Sequence, residues 1–132
     1  VLDGEGATKF VTVRVQGGKT RKQAYLIANS VATSSLVKTA LFGEDPNWGR
    51  IFCAVGNSGA PFTPDKVDIL LNKNLLLKNG NPTNLPQKIL EKSMRQHEIN
   101  ITIDLKCGKE WEEVFTCDFS YDYVKINAEY TT

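Results

Sequence analysis

The chain carries little of what several chemistries require. It has three cysteines, Cys53, Cys107 and Cys117, an odd number with no CxxC spacing, which disfavours both a disulfide framework and a structural zinc site. A reducing cytosol is the compartment that fits. It has a single histidine, His97, so no multi-histidine metal centre can be drawn from these residues alone. Charge of one sign is also lacking: 16 basic residues stand against 15 acidic ones, leaving no broad field to hold phosphate backbones or anionic lipid. Nucleic acid and membrane surfaces are therefore not expected as partners. Long apolar runs are missing too. Val67–Leu71 and Leu75–Leu77 fall far short of the about 20 residues that span a bilayer, and no charged and apolar leader is visible.

What is present is a globular composition, 41% hydrophobic over 132 residues, enough for one modest core or for one segment of a larger one. Residues 10–16 alternate Val11, Val13 and Val15 with Thr12, Arg14 and Gln16, the period of a half-buried strand, and Gly17-Gly18 is expected to end it. Thr20 and Gln23 form a capping-box pair, followed by Ala24, Ile27, Ala28 and Val31 at helical spacing. One helix is expected from about Thr20 to Leu41, its far part rich in the small residues that admit a close neighbour. Asp45-Pro46 reads as a cap and first helical residue, placing a second helix from Pro46 to about Gly56.

Farther on, Val67–Leu71 and Leu75–Leu77 flank Asn72-Lys73-Asn74 as two strands of a hairpin, and Leu85-Pro86 opens a short helix through Met94. Ile99, Ile101, Ile103 and Leu105 alternate with polar residues, and Gly108-Lys109 turns the chain back into Trp111–Phe119. An antiparallel pair is expected from these two strands, with Phe115, Cys117 and Phe119 on one face. Ser120–Thr132 reads two ways: Tyr121, Val124 and Ala128 suit a short helix followed by an ordered tail, the favoured reading, while Tyr123–Ile126 could extend a strand. Without a βαβ alternation the fold class is α+β, helices layered on a mixed or antiparallel sheet. No internal domain boundary is visible across residues 1–132.

Candidate sites are few. Asp3-Gly4-Glu5-Gly6-Ala7-Thr8-Lys9 places two carboxylates among glycines; it reads either as a solvated turn or as a loop suited to an ammonium group, since its charge would repel phosphate. Trp48 in a helix's first turn reads as a packing anchor, with Arg50 able to pair with Glu44 or Asp45. His97 reads as a surface residue and the cysteines as small core hydrophobes. The apolar residues Tyr123, Val124, Ile126 and Tyr130 in the tail can dock it.

Three blocks, "DGEGATKF", "VKTALFGEDPNWGRIFCAVGNSGA" and "DYVKINAEYTT", in that order, resemble the C-terminal part of the ornithine acetyltransferases, the bifunctional glutamate N-acetyltransferases of arginine biosynthesis. The resemblance runs from Asp3 to Thr132 and is weakest between about Lys66 and Lys109. It implies a precursor that cuts itself into α and β chains and frees a threonine at the β N-terminus as nucleophile. That threonine and the oxyanion hole belong upstream of Val1 in the family, so the present chain is expected to be the later part of a β chain, without a catalytic residue of its own and inactive alone.

By the same resemblance Glu5, Asn127 and Thr132 fall on substrate-binding positions. The implied reaction moves an acetyl group from N2-acetylornithine to glutamate, with acetyl-CoA as a further donor in some members. No metal or cofactor is implied, and the expected assembly is an α2β2 heterotetramer in the cytoplasm. Two other readings stand beside this one. One is a non-catalytic binding or assembly module using the Ala/Ser-rich helix and the Trp48 helix; the other is a relative with amidohydrolase or peptidase chemistry.

Overall fold

The structure, a computed structural model, describes residues 9–118. The alternating rows form strands as their spacing predicts: β1 (Phe10–Gly18), β5 (Glu98–Asp104) and β6 (Glu110–Cys117), joined by the hairpin β2 (Asp68–Leu71) and β3 (Asn74–Lys78) and a two-residue edge strand β4 (Asn81–Pro82). Together they make a six-stranded mixed sheet in the order β4-β3-β2-β5-β1-β6. A proline at β4 suits an edge, where no further ladder partner needs its missing N–H.

Four helices complete the α+β architecture: α1 (Arg21–Thr33), α2 (Ser35–Phe42), α3 (Trp48–Gly56) and α4 (Gln87–Met94). Their apolar faces enter one core with the inward rows of the strands. Val11, Val13 and Val15 are fully buried beside Ile99, Ile101 and Ile103, and the helices add Ile27, Val31, Leu41, Val55 and Met94 to the same cluster. The alternate row, Thr12, Arg14 and Gln16 on β1 beside Asn100, Thr102 and Asp104 on β5, points to the other side. There Phe10 stacks on Phe115 with ring centroids 5.8 Å apart, and Arg14 lies 4.2 Å over the Trp111 ring.

Topology departs from expectation at the centre. β5 and β6 do not pair with each other; β1 lies between them, parallel to β5 (Val11↔Ile99, Val13↔Ile101) and antiparallel to β6 (Val13↔Val114). A third row of valines buried on one face inserts between the two, adding ladder bonds on both its edges where a hairpin would give one. The face assignment of β6 changes accordingly. Val114 packs on the core, whereas Phe115 is 57% exposed on the opposite side. Gly17-Gly18 does end β1, as its last two residues. The register against β6 shifts between Val15 and Gly18, and Gly17, at φ +70, brings its carbonyl to the Cys107 amide at 2.7 Å. A Cβ on Gly17 would collide with the Asp104 side chain and the Lys106 backbone.

Two helix boundaries are also corrected. The expected Thr20–Leu41 helix is two, because Ser34 takes an extended backbone (φ −68, ψ 119) and its hydroxyl accepts the Val37 amide at 3.3 Å, starting α2 afresh. A serine favours such a cap over a helix interior, where it competes with the ladder. Asn47, not Asp45, caps the next helix: its Oδ1 accepts the Arg50 amide at 3.0 Å and α3 begins at Trp48. The capping pair at α1 holds, with Thr20 Oγ1 accepting the Gln23 amide at 3.0 Å; Gln23 Oε1 then accepts the Lys19 amide at 2.7 Å. The small residues of α1 serve contacts within the chain, as Ser30 donates to the Ala54 carbonyl of α3 at 2.6 Å.

Candidate functional site

Lys9 is the last residue before β1, and three parts of the chain meet on it. Its backbone N–H donates to Asp118 Oδ1 at 3.0 Å, immediately after β6. The Nζ donates to Glu44 Oε2 at 3.1 Å and to the Gln96 carbonyl at 3.2 Å, just before β5. Lys9 is 5% exposed and Asp118 fully buried. A buried ammonium and a buried carboxylate are tolerable only with such partners.

Glu44 reaches Lys9 because of how α2 stops. Gly43 donates to the Thr39 carbonyl at 2.9 Å, and Asp45 to the Ala40 carbonyl at 2.8 Å, with Glu44 between them in the left-handed region at φ 55. These bonds satisfy carbonyls that a helix end leaves open. They also turn the Glu44 carboxylate back towards the sheet. Next, Asp45 and Asn47 bond through both main chain (2.8 Å) and side chain (3.3 Å). This delivers Trp48, 37% exposed, to a cleft shared with Pro82, Thr83, Leu85 and Leu90. Arg50 bonds the Leu36 carbonyl at 3.1 Å; of the two acids expected to pair with it, Glu44 is instead Lys9's partner and Asp45 accepts from the Asn47 side chain.

The substrate-binding residues expected from sequence, Glu5, Asn127 and Thr132, lie outside the described residues, as does the expected helix and tail over Ser120–Thr132. The described chain does bring together the points at which their segments join the fold: Lys9 stands four positions after Glu5, and Asp118 nine before Asn127. Of Lys9, Glu44 and Asp118, the sequence offers an ion-pair role only for Glu44, as an acid within reach of Arg50. Lys9 and Glu44 sit inside the "DGEGATKF" and "VKTALFGEDPNWGRIFCAVGNSGA" blocks.

Of the remaining candidates, His97 is exposed as expected. Cys117 is buried and Cys107 packs partly buried on the core, but Cys53 is exposed on α3, contrary to expectation, where Asn57 bonds its sulfur at 3.7 Å. The apolar stripe of α3 runs through Ile51, Ala54 and Val55, which turns position 53 outward. Among the described residues no group of three or more His, Cys, Asp or Glu could hold a metal ion, and no helix is long and apolar enough to cross a membrane.

A mixed sheet layered with helices, whose first and last described residues are tied together at one end beside the Glu44 turn, defines an α+β unit with both flanking segments leaving from one place. The family model described as the ArgJ family matches residues 1–132, and the chain belongs to that family. It is 48% identical over 98% of its length to the Arginine biosynthesis bifunctional protein ArgJ, mitochondrial, of Schizosaccharomyces pombe, covering 31% of that protein. It is 49% identical over its whole length to the Glutamate N-acetyltransferase of Methanocaldococcus jannaschii, covering 35% of that one. The chain thus spans about a third of the curated relatives it matches. Among solved structures, the arginine biosynthesis bifunctional protein of Bacillus halodurans superposes with a TM-score of 0.92 at 38% identity, covering 98% of this chain and 61% of that one.

Proposed function

We propose that this chain is the C-terminal part of the β chain of an acetyltransferase that moves the acetyl group of N2-acetylornithine to glutamate in arginine biosynthesis, within a larger self-cleaving N-terminal-threonine fold. The observation that carries the reading is the near-50% identity, sustained over 98% of the chain or more, to proteins named for that pathway and that acetyl transfer. The tie between Lys9 and Asp118 supports it, because it starts the Glu5 segment and the Asn127–Thr132 segment from one point of the fold. Four residues of chain reach about 14 Å at most.

In this reading the threonine nucleophile lies on the part of the protein outside this sequence. Its Oγ bonds to the acetyl carbon while its own α-amine takes the hydroxyl proton. The amide C–N bond breaks, and ornithine leaves with that proton; the α-amine of glutamate then attacks the acyl-enzyme ester and regenerates the threonine. Glu5 pairs with the cationic side-chain amine of the donor or with the threonine's own α-ammonium. Asn127 and Thr132 give neutral hydrogen bonds to its carboxylate or amide. Acetyl-CoA is an alternative donor, the assembly is α2β2, and the compartment is the cytoplasm, in keeping with three free thiols.

The test is made on the complete precursor. Self-cleavage into two chains and release of ornithine from N2-acetylornithine in the presence of glutamate are expected. Glu5→Gln should lower that activity while leaving cleavage largely intact. A wild-type precursor that neither cleaves nor releases ornithine would remove the reading, and unchanged kinetics in Glu5→Gln would take Glu5 out of the site.

A further inference from the structure

We propose that the outer edge of β6 receives an added strand, an extended basic segment supplied by the part of the parent protein outside this sequence; this rests on the reading above, in which the chain is one piece of a larger acetyltransferase. The two edges of the sheet are built differently. At one end β4 is two residues, Asn81–Pro82, and its proline has no N–H to offer. Short, proline-bearing edges are a means by which sheets avoid unwanted pairing. At the other end β6 runs eight residues, Glu110–Cys117, without a proline, which makes about 27 Å of strand.

Three residues of β6 turn their backbone outward. The Lys9 amide bonds towards β6 at Asp118, and the Phe10 amide towards β5 at the His97 carbonyl, 2.8 Å away. Successive residues of a strand aim their N–H and C=O groups to opposite sides, so Val11, Val13 and Val15 bond β6 at their partners Thr116, Val114 and Glu112. Trp111, Glu113 and Phe115 therefore point theirs away from the sheet, and among the described residues no backbone group meets them. Their side chains share one outward row. Trp111 is 49% and Phe115 57% exposed, yet both are held in place, Trp111 under Arg14 and Phe115 against Phe10. α1 packs on the opposite side of β6, where Arg21 bonds Glu112 at 2.9 Å.

Charge selects the occupant. β6 carries Glu110, Glu112 and Glu113 and no basic residue. The two antiparallel registers that overlap it most fully with a second copy of itself set Glu113 opposite Glu113 or Glu110 opposite Asp118, and like charges directly opposite destabilise a strand pair. A strand with Lys or Arg opposite Glu113 and apolar residues opposite Trp111 and Phe115 answers each member of the outward row. About two thirds of the relatives' length lies outside the stretch that this chain matches. A segment from that remainder belongs to the same molecule and meets the edge at high effective concentration.

The test uses the complete self-cleaved enzyme. Phe115→p-benzoylphenylalanine sets a photoreactive ring in the outward row, and peptide mapping after irradiation identifies what lies against it. Residue-resolved hydrogen exchange follows the Trp111, Glu113 and Phe115 amides, with the Val114 amide, bonded to β1, as the internal mark of an intact sheet. Expected is an adduct to a Lys- or Arg-bearing peptide from outside residues 1–132, and outward amides slowed at least about tenfold relative to unpaired strand amides. Glu113 is exposed, so Glu113→Lys should fold normally. It should cut the adduct several-fold and speed exchange at Trp111 and Phe115 while Val114 stays slow; Glu113→Gln should do less of both.

No adduct, or one confined to residues 1–132, would overturn the added strand, as would outward amides that exchange freely in the wild type. Protection lost when the enzyme is diluted to single αβ units would assign the edge to a second copy instead, and an unchanged adduct in Glu113→Lys would remove the basic partner. All of these leave the acetyltransferase reading standing. Failure of the wild type to release ornithine from N2-acetylornithine strikes that reading instead.

Discussion

Asn72 and Asn100 are joined twice, the Asn72 amide donating to the Asn100 carbonyl at 2.7 Å and the Asn72 side-chain Oδ1 accepting the Asn100 amide at 2.9 Å. The pair ties the β2–β3 turn to the centre of the sheet, and Asn72 holds it from the left-handed region at φ 55. Asparagine suits both demands, since its short amide tolerates that backbone and caps a neighbouring strand.

Substitution separates the two roles. Asn72→Gly keeps the backbone and loses the side-chain bond, an expected loss of about 1 kcal/mol. Asn72→Ala loses both and should cost roughly 1–2 kcal/mol more. Urea denaturation midpoints of the two variants give the difference, and equal losses would mean that the left-handed turn is not retained in solution.

Ser34 is what divides the long helical pattern into α1 and α2. Removing its hydroxyl in Ser34→Ala should cost about 0.5–2 kcal/mol and raise hydrogen exchange first at Val37, whose amide it caps at 3.3 Å. Ser34→Asp should retain most of the stability. Slowed exchange across residues 31–38 in Ser34→Ala would show instead that the two helices had fused.

Met94, 1% exposed, closes the core where α4 meets Leu71, Leu76 and Leu41. Met94→Ala leaves a cavity there and should lower stability by about 2–5 kcal/mol, against less than about 1.5 kcal/mol for the volume-conserving Met94→Leu. Calorimetric midpoints check the ranking. A Met94→Ala loss no larger than that of Met94→Leu would indicate that α4 is not packed as described.

How much was legible beforehand follows the range of the interactions. The Val11–Val13–Val15 and Ile99–Ile101–Ile103 rows announce strands because alternation is a local property, and the hairpin around Asn72 and the helix ending at Met94 follow from equally local signals. Which strand lies beside which is not local. Nothing between Leu105 and Trp111 marks that a strand from the beginning of the chain will take the place between them. The break at Ser34 was hidden because apolar spacing runs through it, and only the competition between hydroxyl and ladder decides the point.

The site divides along the same line. The blocks that contain Lys9 and Glu44 stand out as text, yet their ion pair spans 35 positions, and Asp118 carries no local mark at all. Side-chain direction can mislead as well: Cys53 has the composition of a core residue but occupies the outward side of α3.

Placing β1 between β5 and β6 also has a kinetic cost. A strand near the beginning of the sequence can complete its ladders only once residues close to 118 have been made, so ordering of this unit waits on chain closure over long loops, a slow kind of search. During synthesis the Val11–Val13–Val15 row would stay without either of its final neighbours. The bond from the Lys9 amide to Asp118, at the head of that row, would be set among the last steps in the ordering of this unit.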